Sequence, residues 1–457
     1  MERYFRSEGG VASGARQSLP GRLDSREVLL WRREVDPGHS TPMVLGDRIV
    51  LTSYRAGTRE LAVEALDSGT GAPVWRRPFL PPKLEELHTI GSPATPTTAS
   101  DGERVFAFFG SYGLVALDSR GEVLWEKRMG PFQDEYGAGS SPIVVGNRVI
   151  LLQDHDVGSF LAAYDTRTGK ELWRTERPDA VRSYSTPAVW ERRGRRELLA
   201  AGALELSGYD LETGRRLWSV SGLARIVIPT PIPHGDRILM ASWAPGGDSG
   251  RRIALDTWSV AAAKWDKDQD GLLTRAEIDN ADVLDRYFRM DLDQNGKLNE
   301  SEWTRHADVF RLARNALLAI RPPDSDGPAS AAGSEAVLWS HARGVPYVAT
   351  PVVDGGALWM VKDGGIVTRV DVASGAVHYE ERLPGVGNYY ASPVVGDGKV
   401  YFASQAGVVS ILSAGSEWKV LSTHDFREKI HATPVLEGGR LLIRTEAAMY
   451  SFGVLEK

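Results

Sequence analysis

The sequence predicts an all-β fold, an eight-bladed β-propeller of four-stranded antiparallel blades, and three observations predict it. A small residue, then Thr or Ser, then Pro recurs with its proline at Pro42, Pro96, Pro142, Pro187, Pro231, Pro351, Pro393 and Pro434. The intervals run from 41 to 54 residues, except between Pro231 and Pro351, a period that suits one small sheet per unit. Each unit also ends on an aromatic, giving Trp31, Trp75, Trp125, Trp173, Trp218, Trp339, Tyr379 and Trp418. The third observation is compositional: 48 Gly and 13 Trp in 457 residues mark many tight turns and a recurring aromatic packing position.

Within a unit the elements follow in order. The stretches "TPMVLGDRIVLTS" and "SPIVVGNRVILLQ" set Gly-Asp or Gly-Asn between alternating apolar runs. These residues tolerate the positive φ of primed hairpin turns, so the first two strands form a hairpin. A second hairpin closes on an Asp, a Thr-Gly or Ser-Gly turn and an aromatic four residues after the Gly, as in "ALDSGTGAPVW" and "AYDTRTGKELW". The Asp side chain accepts from turn N–H groups while the Gly takes the left-handed conformation. The aromatic ring is expected to fill the wedge between neighbouring blades.

The phase of the repeat is informative. Trp31 precedes the first Thr-Pro motif, whereas "HATPVLEGGRLLIRTEAAMYSFG" at the other end has room for three strands. The N-terminal strand is therefore expected to complete the last blade and close the ring, leaving no open sheet edge. On this reading residues 1–24 are an N-terminal extension, 25–250 and 317–457 form the propeller, and 251–316 are an insertion into blade five.

The A-x-D-x-x-T-G-x-x-x-W pattern, complete at Ala65 to Trp75 and Ala163 to Trp173, resembles the tryptophan-docking motif of the PQQ-like, or quinoprotein, eight-bladed propeller family. Catalytic members of that family are PQQ- and calcium-dependent dehydrogenases of alcohols or sugars; other members are non-catalytic binding or assembly proteins. The chain has no Cys, which excludes the adjacent-Cys disulfide of many such enzymes, and its blades lack long insertions. The reading favoured here is a non-catalytic binding or scaffold propeller. The alternative is a quinoprotein dehydrogenase with Trp243 as a conceivable floor for PQQ. The resemblance implies a periplasmic or extracellular protein, whereas the opening residues carry no apolar run of signal-peptide length, which leaves the cytoplasm open. No segment has the 18 or more apolar residues of a membrane span.

The insertion carries the strongest chemical signal, two tandem EF-hand-type loops. "DKDQDGLLTRAE" sets Asp266, Asp268 and Asp270 at positions 1, 3 and 5, the Leu272 carbonyl at 7 and Glu277 at 12. "DLDQNGKLNESE" sets Asp291, Asp293, Asn295, the Lys297 carbonyl and Glu302 in the same places. Calcium takes six to eight oxygens, so three short side chains, one carbonyl and a bidentate Glu around a glycine turn suit it. Two ions are expected. Leu273 and Leu298, at position 8, are expected to pair the loops through a short strand. One helix, over "IDNADVLDRYFRM", is expected to serve both loops, and "EWTRHADVFRLARNALLAI" to form an exit helix with Trp303, Val309, Phe310 and Leu317 on its apolar face.

Residues 266–302 carry eleven acidic and five basic side chains, equal to the whole net charge of −6, so the propeller is near neutral and no basic stripe points to nucleic acid. An insertion between the second and third strands of blade five overhangs the face where every Thr-Pro strand begins. The residues two positions before each Thr/Ser-Pro are His39, Pro93, Gly139, Tyr184, Ile228, Val348, Tyr390 and His431. They are expected to ring the channel mouth. His39, Tyr184, Tyr390 and His431 are the candidates for contacting a protein or small-molecule partner there. Arg182, Arg225 and Arg343 lie in the same kind of connection and rank lower, and His155, between Asp154 and Asp156, reads as part of a polar loop.

Overall fold

The computed structural model describes residues 2–12, 18–25, 27–192, 194–245, 255–322, 327–328, 333–385 and 387–454. Eight sheets with four antiparallel meander strands each make one ring, seven of them each drawn from one stretch of the chain. Blade one is Met43–Leu45, Arg48–Arg55, Glu60–Asp67 and Pro73–Phe79. The second and third strands of a blade are mostly buried, and wholly so in Val105–Phe109 and Gly113–Leu117, because a neighbouring blade covers each sheet face. Outer strands such as Glu171–Glu176 instead alternate between partial burial and exposure.

The closing strand is where the phase of the repeat puts it. Leu29–Glu34 pairs antiparallel with Ala448–Gly453, completing the blade begun by Val435–Glu437 and Arg440–Arg444. Trp31 then reaches the next blade, donating from Nε1 to the Ser68 carbonyl at 3.1 Å. Trp75, Trp125, Trp173 and Trp339 repeat this reach onto the turn of the following blade. A Cβ on Gly169 (φ +68°) would lie 2.7 Å from the Trp125 ring, so the turn needs glycine for its backbone and for the neighbouring indole. The turn Asp behaves as expected: Asp67 Oδ1 accepts from the Gly69 and Thr70 amides and the Thr70 hydroxyl.

Three aromatics depart from the docking pattern. Trp218 turns back over Gly208 of its own blade and donates to Glu197 at 2.7 Å. Tyr379 packs edge-on against Trp418 at 5.5 Å and accepts from Trp359. Blade four also gains a strand that the repeat did not predict, Gly327–Pro328, parallel to its outer edge Arg216–Ser221.

In blade five, Ile232–His234, Arg237–Ser242, Ala316–Ile320 and Val337–His341 form the sheet, with the insertion between its second and third strands. The inserted helices are α1 (Trp258–Trp265), α2 (Ala281–Leu284), α3 (Tyr287–Met290) and α4 (Glu300–Leu312). The single shared helix of the sequence reading is therefore two one-turn helices, broken at Asp285–Arg286. Leu317 is also corrected: it belongs to the third strand of blade five and its core. Trp303 packs among the inserted helices, and the side chain of Phe310 lies outside the described ones. Residues 251–254, placed in the insertion by sequence, lie outside the described residues. No helix among the described residues is long and apolar enough to cross a membrane.

Candidate functional site

The inner strands converge on a central cavity of about 200 Å³. Its wall is built from the repeat motif. The backbone N–H of Thr41 donates to the Thr97 hydroxyl, Thr97 to Ser141, and Ser141 to Thr186, each at 2.9–3.0 Å. Thr230 to Thr350, Thr350 to Ser392 and Ser392 to Thr433 continue the series at 2.9–3.0 Å. A Thr or Ser before each inner strand is thus required because its hydroxyl accepts the amide of the preceding blade, where a Pro at the next position donates nothing. In blade two the linking residue is Thr97, so the Thr95-Pro96 motif sits two residues early and Pro93 is displaced from the mouth. Thr95 lines the cavity in its place.

His39, Tyr184, Tyr390 and His431 all line this cavity, together with Gly139, Ile228 and Val348. His39 stacks on His431 with centroids 3.9 Å apart, and Tyr390 stacks on the far side at 6.1 Å. Burial, then the adjacent His431, pushes the His39 imidazole down to about 3, and burial also lowers His431. Two neutral rings can stack without charge repulsion. Tyr184 does something different, donating its hydroxyl to Asp134 at 2.7 Å. Tyr136 and Tyr347, which the motif spacing could not find, complete the aromatic wall.

The N-terminal segment, read from sequence as a mere extension, crosses the rear of the channel. Arg3 exchanges backbone hydrogen bonds with Ser100 of blade two, and Val11 bridges to Val395 of blade seven. Between them Arg6 donates to the carbonyls of Pro351 (2.7 Å) and Pro393 (3.2 Å), while Phe5 lines the central cavity. The described N-terminal residues thus lie across the rear of the channel, with Phe5 in the wall of the funnel.

Two buried carboxyls stand behind the funnel wall. Burial, then Asp134, raises Glu85 to about 7, and burial raises Asp134 to about 7. Asp134 also accepts from the amides of Tyr136 and Gly137, holding the loop that carries Tyr136. A carboxyl whose folded value exceeds its unfolded one contributes stability that is full below the unfolded value, near 4, and is lost as pH rises through about 7. Glu85→Gln should therefore stabilise the protein by about 3 kcal/mol at pH 8, raising its melting temperature there, and by much less at pH 5. Equal shifts at both pH values in thermal melts would refute the assignment.

In the insertion, carboxylate oxygens of Asp266, Asp268 and Asp270 lie within 4.8 Å of one another, as do those of Asp291, Asp293 and Glu302. The loops share a backbone: Gln269 and Gly271 have positive φ (61° and 77°), as do Gln294 and Gly296 (56° and 83°). Leu273 pairs with Leu298 across the short strands Leu273–Thr274 and Lys297–Leu298, as the sequence predicts. The two sites differ in their last residue. Glu302 is buried and joins its cluster, with Oε1 accepting from the Leu292 amide. Glu277 accepts the equivalent amides, Lys267 at 3.2 Å and Thr274 at 2.8 Å, but it is only half-buried and is not gathered with its three aspartates. Lys297 was expected to offer its carbonyl alone, yet its ammonium sits 2.9 Å from Asp270 of the other loop. Buried Asp291 leaves Oδ1 without a hydrogen-bond donor, and burial, then the neighbouring Asp293, pushes this carboxyl up. An oxygen cluster of this kind fits a cation.

The insertion overhangs the funnel face, as the topology requires: Gln133, on a connection of that face, donates to the Leu292 carbonyl. Arg182 and Arg225 lie beneath the insertion and Arg343 is exposed. His155 is buried, stacked on Phe132 at 4.0 Å, with Asp154 and Asp156 on either side paired to Arg177 and Arg182. Trp243 packs edge-on against Tyr347 and lies outside the funnel lining.

The model of the family described as outer membrane protein assembly factor BamB matches residues 22–135, 59–226 and 324–455, overlapping as repeats do and leaving out the insertion. The chain belongs to this family. BamB of Burkholderia pseudomallei is 33% identical over 135 residues, covering 29% of this chain and 31% of the relative. A quinohemoprotein alcohol dehydrogenase, ADH IIB of Pseudomonas putida, is 26% identical over 197 residues, 40% of this chain and 28% of the enzyme. The chain thus matches about a third of either curated relative. The crystal structure of BamB from Moraxella catarrhalis superposes with a TM-score of 0.58 at 13% identity, over 93% of this chain and 97% of that one. Quinohemoprotein alcohol dehydrogenase ADHIIG of Pseudomonas putida HK5 gives 0.53 at 11% identity, over 97% and 79%. At such identities these two superpositions establish for this BamB-family chain the propeller fold that it shares with both relatives.

Proposed function

We propose that this BamB-family propeller is a non-catalytic binding protein that holds two calcium ions in its insertion and engages a protein partner at the funnel. The observation that carries the reading is the funnel itself. A cavity of about 200 Å³ is smaller than the roughly 300–1,000 Å³ that enclose a drug-sized ligand. It suits one protruding side chain or turn of a partner, seated against the stacked His39, His431 and Tyr390 rings. The family match to an outer membrane protein assembly factor supports a partner that is a protein and a site of action in the periplasm. The calcium part rests on the paired oxygen clusters.

The dehydrogenase alternative has a direct test. Titration with PQQ and calcium, followed by a dye-linked oxidation assay on alcohols and sugars, should show neither stoichiometric uptake nor turnover. A photo-crosslinking residue at Tyr390 should give one discrete protein adduct in periplasmic extract, weakened by H39A and H431A. Turnover with PQQ, or an adduct indifferent to both substitutions, would overturn the reading.

A further inference from the structure

Between the insertion and the ring lies a second, larger cavity of about 500 Å³, separate from the funnel. The propeller supplies Arg182 and Arg225, from the connections leading into blades four and five, and the insertion supplies Arg286, Arg289 and Arg305. Some of these charges are already matched: Arg182 pairs with Asp156 and Glu135, and Arg305 lies 3.9 Å from Asp179. Arg225 and Arg289 are different. Arg225 spends its Nε on the Pro245 carbonyl, Arg289 lies over the Phe288 ring at 5.4 Å, and neither forms an ion pair with a described carboxylate. Burial, then the charges of Arg289 and Arg182, lowers the Arg225 guanidinium, so the like charges feel one another across the cleft.

Arg225 and Arg289 line the same cleft without an ion pair of their own, Arg289 exposed and Arg225 half-buried, so an anion entering between them meets like charges that it relieves. Planar guanidinium forks match the oxygens of a carboxylate or phosphate in pairs. The rest of the wall is mixed: Leu204, Ile226, Val309 and Leu312 give it an apolar stretch, and Asp179, Glu302 and Asp308 also line it, leaving the five arginines in excess of the three carboxylates. An inorganic ion alone would leave that surface uncovered.

We propose that this cleft binds an amphiphilic organic anion, a carboxylate or phosphate ester whose acidic head sits between Arg225 and Arg289 and whose apolar body lies against Leu204, Ile226 and Val309. The ligand touches both modules and so clamps the insertion to the ring. The site is separate from the funnel, but Glu302 lines both it and the second metal cluster, so binding is measured with and without calcium.

The test is isothermal titration and thermal melting of the full chain with hexanoate, hexyl phosphate, inorganic phosphate and hexanol, each in calcium and in chelator. Hexanoate or hexyl phosphate should bind at one site and raise the melting temperature, with inorganic phosphate and hexanol weaker. Arg225→Gln and Arg289→Gln should each weaken binding at least tenfold, and without anion Arg289→Gln should melt no lower than the parent, since it removes a repulsion. Dihexanoyl phosphatidic acid in place of hexyl phosphate separates a lipid head group from a simple ester, and binding of either sustains the proposal. Failure of every anion to bind at millimolar concentration, hexanol binding as tightly as the anions, or unchanged affinity in both variants would overturn it.

Discussion

Deleting residues 27–36 should drop the melting temperature by more than about 10 °C, or leave a protein that no longer folds, the largest effect expected of any short deletion in this chain. Every other blade is a continuous stretch of chain, but the last is assembled from both ends of it, so the seam is held by non-covalent contact alone. Five registered pairs join Leu29–Glu34 to Ala448–Gly453. Trp31 is buried against the next blade, and a Cβ on Gly71 would stand 2.5 Å from its ring. Just inside the seam Arg444 is buried and donates to carbonyls of Ser40 (3.1 Å), Thr52 (2.9 Å) and Asp36 (3.2 Å), tying the last blade to the first. Opening the ring exposes two sheet edges and strands all of these groups.

The single substitution Trp31→Ala should cost about 3–5 kcal/mol, as truncation of a buried Trp does. Trp125→Ala, at an internal junction where the chain still tethers both blades, should cost less, because reclosing that interface requires ordering a far shorter loop. Calorimetric melts of the two variants decide the point. If Trp31→Ala melts with Trp125→Ala, the seam carries no special weight.

The seam was legible in the sequence because an aromatic without a preceding motif and a motif without a following aromatic are complementary halves of one unit. The insertion point was legible for a similar reason: one interval is longer than the rest, and "DRILMAS" before it and "AVLWSHA" after it are recognisable strands. What stayed hidden depends on neighbours that exist only after folding. Thr97 links blades one and three, but Thr95-Pro96 imitates the motif two residues earlier, and the hydrogen-bond ring alone separates them. Trp218 obeys the spacing yet folds over its own blade, because Gly208 leaves room and Glu197 offers an acceptor. Residues 2–12 have no strand periodicity at all. Their role arises when a closed ring presents the carbonyls of Pro351 and Pro393 to Arg6. The Arg225–Arg289 juxtaposition likewise joins positions 64 residues apart that belong to different modules.

Adding calcium to chelator-treated protein should raise stability by about 2.7 kcal/mol for each site at a hundredfold excess over its Kd. The geometry further predicts that the two loops are unequal. In the second, Glu302 is buried with Asp291 and Asp293 in one cluster, and its capping contact with Asn299 starts α4, so the glutamate is fixed before an ion arrives. In the first, Glu277 makes the same two backbone contacts but is half-buried and not gathered with the three aspartates, and the Lys297 ammonium already neutralises part of Asp270. Reorganisation and a competing cation both weaken binding, so the loop of Asp291 should fill first. Calorimetric titration should resolve two affinities. Glu302→Gln should abolish the tighter and Glu277→Gln the weaker. Lys297→Met should tighten the weaker site by a few-fold, since it removes an exposed competing cation, without moving the tighter one. No heat and no change in melting temperature on adding calcium would remove the metal from this protein altogether. A Lys297→Met effect on the tighter site instead would show that the short strand couples the loops more strongly than the charge on Asp270 does.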